Sequence, residues 1–425
     1  MLVSDYYPPF NPGGSEWSVL YLSKALQDKD INNIIVTPNY GTRAEEIIVG
    51  TRVIRFPSFK KASGSRSVIN PIWQNNPFFF IWSAVFIYKI AKKEKVDILH
   101  IHGKFLIPGG YCASKLLKVP FIVTIRDKQL LCSYGKCFFT KDRKKSCSWI
   151  EYMTSDLPWF YKHFVKEKKL SSLIYTFLSA LWTRIVNSLI VWFAKNSDKI
   201  IAISNSQKTY LEAGGFKDVK VIFNSVIFQD IQPTKKRSNI LFVGKLSLGK
   251  GIYQLLEAIP FVIQKRKELF IFAGGVEEKK DIDAMVKKLG IREYVKFLGG
   301  VDHFKLQKLY KSCKLVVMPS IYPEAFGRVA LEALSAGTPV VVSNRGGLPE
   351  IVRPKYTGLI SKVTPEDLAL AINTILNNLD MYIKNINKER LSLIKKFGIN
   401  PINQHAQLYK ILTRKHDLHK MLNVV

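Results

Sequence analysis

Glu324 and Glu332 stand eight residues apart in "PSIYPEAFGRVALEALSAGTPVVVS", between two apolar runs, in a chain whose 64 Lys and Arg far outnumber its 33 Asp and Glu. The first run reads as a buried strand, "IYPEAF" as a loop, and "GRVALEALSAG" as a helix that begins near Gly327 and stops at Gly337. Glu324 then falls just ahead of the helix N-terminus and Glu332 in its second turn. Backbone N–H groups of Phe326, Gly327 and Arg328 at such a terminus form an anion site, and the missing side chain of Gly327 gives a phosphate room to approach. A carboxylate accepts hydrogen bonds from paired sugar hydroxyls. Glu332 suits a ribose, and Glu324 the hydroxyls of a second sugar or a developing positive charge. The competing account is that acids near a helix N-terminus simply complement the macrodipole.

Two glycine-rich loops point to the same chemistry. In "FVGKLSLGKGIYQLLEAI", Lys245 and Lys250 lie between a strand and a helix, and Gly244, Gly249 and Gly251 permit close backbone approach. Two cations there fit a diphosphate, although the spacing is not that of a Walker A loop. In "PPFNPGGSEW", Gly13 and Gly14 separate the first strand from its helix, with Ser15 as the expected N-cap.

Other chemistry-bearing residues carry less. His100 and His102 end a strand in "DILHIHG"; His102 is read as facing an acceptor and His100 as packed. "DID" at 281–283 has the look of a metal-binding pair, but it sits among lysines on an amphipathic surface helix and reads as solvated charge. Cys132, Cys137 and Cys147 form a loose cluster with no CxxC pair, so no metal is expected.

These residues need strands and helices to position them. In the first half, the runs 33–38, 52–57, 96–103 and 120–126 alternate with helical stretches such as "SEWSVLYLSKALQD", which argues for a parallel sheet covered on both faces. The second half repeats the alternation through "NILFVGKL", "LFIFAGG", "VKFLGGV", "KLVVMPS" and "TPVVVS". At 425 residues two domains are expected: 1–227, a polar linker at 228–239, 240–399, and a final helix over 400–425. The fold class is α/β with two tandem Rossmann-like domains, ligands being expected at the carboxyl ends of the strands.

The segment 151–195 breaks the rhythm. "SSLIYTFLSALWTRIVNSLIVWFAK" is nearly long enough to cross a bilayer but carries Arg184 and Asn187 at its centre, and "WFYKHFVKEKKL" before it is both aromatic and basic. An interfacial helix lying among lipid headgroups is the expectation, with a buried helix or a true transmembrane span as the alternatives. "NPFFFIWSAVFIYKIAKK" at 76–93 is likewise apolar with a basic end.

Composition is globular, 47% apolar and 23% charged, and the formal charge of +31 favours anionic partners such as phosphates or an acidic membrane surface. Nothing matches a nucleic-acid-reading motif, so nucleic acid is not expected as a partner. Five cysteines suit a reducing compartment, no cleavable leader is legible in "MLVSDYYPPF", and the first strand is expected to start almost at residue 1.

Taken in order, "YPPFNPGGSEWSVLYLSKAL", "DILHIHG", "IIAISNSQK", "VIFNSV", "LFVGKLSLGKGI", "VKFLGGV" and "MPSIYPEAFGRVALEALSAGTPVVVSNRGGLPEIV" resemble the GT-B glycosyltransferases, specifically the retaining family 4 type, over nearly the whole chain outside about 130–195. The resemblance implies two domains facing a cleft, a final helix crossing back to the first, and transfer of a sugar from a nucleotide-sugar donor, UDP- or GDP-linked, without an essential metal. By carry-over, Glu332 would hold the donor ribose, Glu324 would lie near the donor sugar, Lys245 and Lys250 would bind the diphosphate, and Gly299 would lie beside the base. Gly14 would close on the donor, with Gly13, His102 and Arg126 on the acceptor side. Two positions depart from the pattern: Lys245 stands where Arg is usual, and "TIRDKQ" places Arg126 where many relatives have His. Arginine stays protonated and cannot act as a base, so Arg126 is read as a holder of a leaving phosphate or an anionic acceptor.

The reading reached from sequence is a retaining glycosyltransferase acting on a lipid-linked or polysaccharide acceptor. It is expected in the cytoplasm, peripherally attached to an anionic membrane surface, with Glu324, Arg126 and His102 as the reacting-centre residues. A noncatalytic nucleotide-sugar-binding protein and a GT-B sugar epimerase are the alternatives.

Overall fold

The computed structural model describes every residue except 12, 65, 66, 129, 132–147, 166–168, 227, 229–236, 277, 278 and 423–425. The three clustered cysteines and most of the expected linker therefore lie outside the described residues. The chain divides into two compact units, Met1–Ser225 with Asn400–Val425, and Val226–Ile399.

The first unit is built on a sheet of order β3-β4-β2-β1-β5-β6-β7-β8. Its strands are β1 (Leu2–Val3), β2 (Ile34–Asn39), β3 (Glu45–Ile48), β4 (Thr51–Pro57), β5 (Leu99–Ile101), β6 (Phe121–Ile125), β7 (Lys199–Ala202) and β8 (Val219–Val221). All neighbours pair in parallel except β3 and β4. The antiparallel β3 was not expected from sequence. It is a short, charged edge strand joined to β4 by Val49 and Gly50, both at positive φ (50° and 78°), the left-handed pair that a two-residue hairpin requires.

Side chains alternate across this sheet, so adjacent residues enter different cores. Val3, Val36, Ile101 and Val123 face α2 (Pro77–Lys93) and α3 (Ile107–Leu117). Leu2, Ile35 and Ile122 face α1 (Ser15–Gln27) together with Ile402, Leu408 and Tyr409 of the last helix. Each such side chain contributes roughly 1.5–3 kcal/mol on burial.

After β6 come α4 (Leu157–Phe164) and α5 (Leu170–Lys195), then α6 (Asn205–Ala213) between β7 and β8. By length and composition α5 could cross a membrane, and only 28% of its most apolar window is buried. Its central Arg184 is not adrift in apolar surroundings, for the guanidinium lies 5.5 Å from the Trp149 ring and 5.3 Å from Tyr152.

The second unit carries a sheet of order β11-β10-β9-β12-β13-β14. Its strands are β9 (Ile240–Val243), β10 (Phe270–Ala273), β11 (Val295–Gly299), β12 (Leu315–Met318), β13 (Val340–Ser343) and β14 (Gly358–Ser361). The helices are α7 (Ile252–Ile263), α8 (Lys279–Lys288), α9 (His303–Ser312), α10 (Arg328–Ser335), α11 (Pro365–Asn377) and α12 (Leu379–Ile394). Arg237, at the entry to the unit, donates to the carbonyl oxygens of Cys313 and Gly337 and to the Thr338 hydroxyl, which fastens the chain beside β12 and β13. The last helix, α13 (Asn400–Leu422), belongs to the first unit.

Among the parallel strands of each sheet the order reverses direction once, at β1/β5 and at β9/β12. The carboxyl ends of those strand pairs are where such folds leave a crevice.

Candidate functional site

In the second unit, Lys245 and Lys250 follow β9, and Glu324 follows β12, so the two loops emerge side by side at the switch point. Lys250 donates from Nζ to Glu324 Oε1 at 2.5 Å, and the Ser320 hydroxyl donates to the same oxygen at 2.7 Å. The Lys250 ammonium also lies 5.3 Å from the Tyr322 ring, while Ile321 and Tyr322 donate their N–H groups to the Gly249 carbonyl. Lys245 is exposed on the same loop.

The backbone of Glu324 is pinned as firmly as its side chain. It bridges Gly346, and its carbonyl accepts the N–H of Gly347 at 2.8 Å. Gly346 has φ +62°, and a β-carbon there would sit 2.1 Å from the Glu324 carbonyl oxygen, so no other residue fits. Sequence reading passed over Gly346, because nothing local in "SNRGGLPE" tells which carboxylate it must abut.

Glu332, in the second turn of α10, is 5% exposed. Arg328 Nε donates to Oε1 at 2.6 Å, and the Tyr310 hydroxyl donates to Oε2 at 3.0 Å. Burial raises the Tyr310 hydroxyl well above its usual range, and the Glu332 carboxylate pushes the same way, so the phenol stays protonated and remains a donor. The Arg328 pair was visible in sequence as an i,i+4 spacing; Tyr310, 22 residues upstream, was not. Each carboxylate oxygen has a second lone pair for a hydroxyl of a bound ligand.

Gly327 is the N-cap of α10 at φ +112°, and a β-carbon there would lie 2.5 Å from Leu348 Cδ2. The glycine is thus required by backbone geometry and by the packing of Leu348, which corrects the expectation that its bareness opens space for a phosphate. Phe326 is buried, edge-on to Phe397 with ring centroids 6.0 Å apart. Gly299 ends β11 at φ +66° with open space where a side chain would stand. Asp281 and Asp283 lie exposed on α8, away from these groups in sequence and element. Among the described residues no three His, Cys, Asp or Glu side chains converge as a metal site.

In the first unit, the loops after β1, β5 and β6 carry a second polar cluster. Arg126 donates from NH2 to His102 Nδ1 at 3.0 Å and from NH1 to Asn224 Oδ1 at 2.6 Å. An arginine only donates, so Nδ1 is the bare nitrogen of the ring. Burial, with help from His100 and Arg126, holds His102 well below the usual histidine range. The ring is therefore neutral, and its proton is on Nε2. That atom is buried and has no hydrogen-bond partner among the described residues. His102 is thus a donor awaiting an acceptor, and not a base.

His100, two residues earlier on the same strand face, is fully engaged. Its Nδ1 pairs with the Tyr409 hydroxyl at 2.6 Å and its Nε2 with the Thr124 hydroxyl at 2.7 Å.

Gly14 caps α1 without a side-chain bond, and Ser15 is the first helical residue, so the expected Ser15 cap is absent. The cap comes from within the helix. Glu16 Oε2 accepts the Gly13 N–H at 3.2 Å, and Oε1 accepts the Ser15 hydroxyl at 2.7 Å. Glu16 is 5% exposed, and burial pushes its carboxyl up, opposed by these hydrogen bonds and by the charge of Arg126. An acid in the first turn after a glycine pair was the signal that sequence reading missed. Asp5, just after β1, accepts the N–H groups of Phe105 and Leu106, each at 3.2 Å, and burial drives its carboxyl up to about 7. Gly103 must be glycine, since a β-carbon would stand 2.3 Å from Asp5 Cγ.

Comparisons with known proteins agree with this arrangement. Residues 12–229 match the model of Glycosyltransferase Family 4, and residues 224–391 match Glycosyl transferases group 1. An uncharacterised glycosyltransferase of Methanocaldococcus jannaschii is 27% identical over 420 residues, covering 96% of this chain and 97% of that one. A subunit of the phosphatidylinositol N-acetylglucosaminyltransferase of Saccharomyces cerevisiae is 24% identical over 397 residues, covering 89% of this chain and 74% of that one. Among solved structures, sucrose-phosphate synthase of Thermosynechococcus elongatus superposes with a TM-score of 0.71 at 20% identity, over 97% of this chain and 99% of that one. HepE of Anabaena, solved with UDP-glucose, gives 0.66 at 20% identity and the same coverage. At such identity the structural likeness speaks to fold alone, which is the GT-B type. The matched family models and the two switch-point clusters lead to one conclusion: the chain belongs to glycosyltransferase family 4.

Proposed function

We propose that the protein is a retaining glycosyltransferase that moves a sugar from a UDP- or GDP-sugar to a lipid-linked or polysaccharide acceptor at the cytoplasmic face of a membrane, to which it attaches peripherally. The observation that carries this reading is the placement of Glu324, fixed by Lys250, Ser320 and Gly346 at the carboxyl end of β12 and just ahead of α10.

In this reading Glu332 takes the ribose hydroxyls on its remaining lone pairs, and Lys245 and Lys250 take the diphosphate. As the glycosidic bond to phosphate breaks, negative charge grows on the departing oxygen. Fixed cations stabilise it without reorganisation, the role a metal ion plays elsewhere. The same oxygen can accept the proton of the incoming hydroxyl, so retention on one face requires no protein base. Glu324, its charge shared with Lys250, lies near the donor sugar and meets its hydroxyls and its growing positive charge. Arg126 and the Nε2–H of His102 serve as donors on the acceptor side, with Gly13 and Gly14 keeping that loop bare. The membrane part is supported by the exposed apolar residues of α5 and by the basic charge.

A thermal-shift panel of UDP-, GDP-, ADP- and dTDP-sugars on the native protein beside Glu332→Ala tests the donor assignment. Stabilisation by one nucleotide class, lost in the variant, is the expected result. No shift with any nucleotide sugar at millimolar concentration overturns it.

A further inference from the structure

We propose that the groove between α2, α3 and α5 of the first unit is a binding site for a single hydrocarbon chain of an anionic membrane lipid. The proposal rests on the membrane-surface reading for where the protein works, and is independent of the donor assignment.

The groove exists because of one close approach. A β-carbon on Gly109 of α3 would lie 2.2 Å from Ser83 Oγ, so α2 and α3 meet almost backbone to backbone there. Ala84, beside that contact, is too small to fill the space outside it. The result is an open cavity of about 440 Å³. Ile81, Val85, Tyr88, Leu116, Leu189 and Phe193 line it, and among the described residues no charged side chain does. Ile81 is 67% exposed and Leu116 69%, far from what core residues show.

The lining chooses the occupant. A peptide segment laid into such a groove would carry backbone N–H and C=O groups into a place with almost nothing to pair them, costing several kcal/mol. A hydrocarbon chain brings no such groups, and each buried methylene gains about 0.8 kcal/mol. The cavity lies within the roughly 300–1,000 Å³ range of small-ligand sites and is too small for a folded partner.

Charge selects the headgroup. α2, α3 and α5 contain no Asp or Glu, yet carry Lys89, Lys92, Lys93, Lys115, Arg184 and Lys195. Lys92 lies 5.7 Å from the ring of groove-lining Tyr88. Lys115 directly precedes Leu116 and lies 5.2 Å from the Tyr111 ring. Glu94, just past α2, is already paired with Arg52 at 2.7 Å. On α5, Ile185 and Trp192 stand four residues before and three after groove-lining Leu189, spacings that share a helix face, and are 50% and 53% exposed. A lipid whose chain fills the groove would thus set a phosphate among lysines.

Cys112 lines the groove, is exposed, and reports on its occupancy. The experiment is peptide-resolved alkylation of Cys112 by a water-soluble maleimide in the full-length protein. Three probes are compared below their micelle concentrations: myristoyl lysophosphatidylglycerol, myristoyl lysophosphatidylcholine and glycerol 3-phosphate. The anionic lysolipid should slow alkylation by about tenfold at ten times its dissociation constant. The zwitterionic one should do so only at higher concentration, and glycerol 3-phosphate not at all. Val85→Asp, at a solvent-facing position, and Ala84→Trp, which fills the space, should each abolish protection. Lys89→Glu with Lys92→Glu should erase the preference for the anionic lysolipid.

Protection by glycerol 3-phosphate, equal protection in Val85→Asp, or no protection by either lysolipid would each overturn the proposal. A nucleotide-sugar thermal shift on the same samples separates the two readings. If it persists while protection fails, only the lipid groove is lost.

Discussion

Arg126 donates a hydrogen bond to Nδ1 of His102 at 3.0 Å, and by doing so assigns the ring its only available proton to Nε2. A departure from the usual family pattern thereby acquires a physical role. The arginine is no base, but it makes its neighbour a committed donor. Arg126→Met should cost about 1–3 kcal/mol through the acceptors left on buried His102 and half-buried Asn224, with a loss of turnover of about ten- to a hundredfold. His102→Gln, whose amide nitrogen can occupy the place of Nε2–H, should keep more activity than His102→Ala. Because burial holds His102 neutral far below its usual range, its role should add no inflection to the activity profile between pH 6 and 8. Nitrogen NMR of the ring provides a direct check: an Nδ1–H tautomer in the native protein would refute the assignment.

Lys250 and Glu324 share a 2.5 Å ion pair that a diphosphate must compete for. Glu324→Gln should release the lysine, so that UDP or GDP alone binds as well as before or better while sugar transfer collapses. Lys250→Met should weaken the nucleotide itself. The double variant should show a coupling of about 0.5–3 kcal/mol in a thermodynamic cycle. Equal loss of nucleotide affinity in both single variants would mean that the pair is only a structural strut.

Asp5 offers a pH dependence of defined sign. Its folded value of about 7 exceeds the unfolded value of 3.8, so between those limits the folded state holds a proton that the unfolded state has released. Stability from this group is present at low pH and falls as pH rises through the window. His405 acts oppositely. Its value drops to about 4, so stability is lost as pH falls from 6.5. Asp5→Asn removes only the first trend. The stability difference, variant minus native, should therefore swing in favour of the variant by roughly 2–4 kcal/mol between pH 4 and 7.5. Parallel denaturation curves for the two proteins would show that Asp5 does not titrate in this way.

Strands and helices were legible wherever burial on two faces wrote an unbroken apolar run, as in "KLVVMPS" and "TPVVVS", or where a glycine ended a helix, as at Gly337. The edge strand β3 was not, because a half-exposed "EEII" has neither the alternation nor the apolar density that burial imposes. Glu324 and Glu332 were found because both sit near a helix start whose boundaries the sequence marks. Their supports were not. Tyr310 and Gly346 meet the carboxylates only after separate βα units are laid side by side, and a linear pattern carries no trace of that adjacency; Ser320 is only four residues from Glu324, but its hydroxyl reaches the carboxylate through the fold of the loop between them. Glu16 was missed for a different reason: an acid in a first helical turn is so common that its burial had to be seen.

The Tyr409 hydroxyl and Ile402 complete the unit that begins at Met1, with all of the second unit intervening in the chain. During synthesis the first unit is therefore unfinished until α13 has been made. Leu2, Ile35 and His100 wait for partners encoded hundreds of codons later, while the second unit has already emerged whole. A chain ending at Ile399 should resist trypsin over Val226–Ile399 and be cut readily before Ser225, whereas full-length protein resists in both. Equal resistance of the first unit in the two chains would show that α13 is dispensable. With this layout, a product terminated before Asn400 is left with an open apolar face where Ile402, Leu408 and Tyr409 would pack.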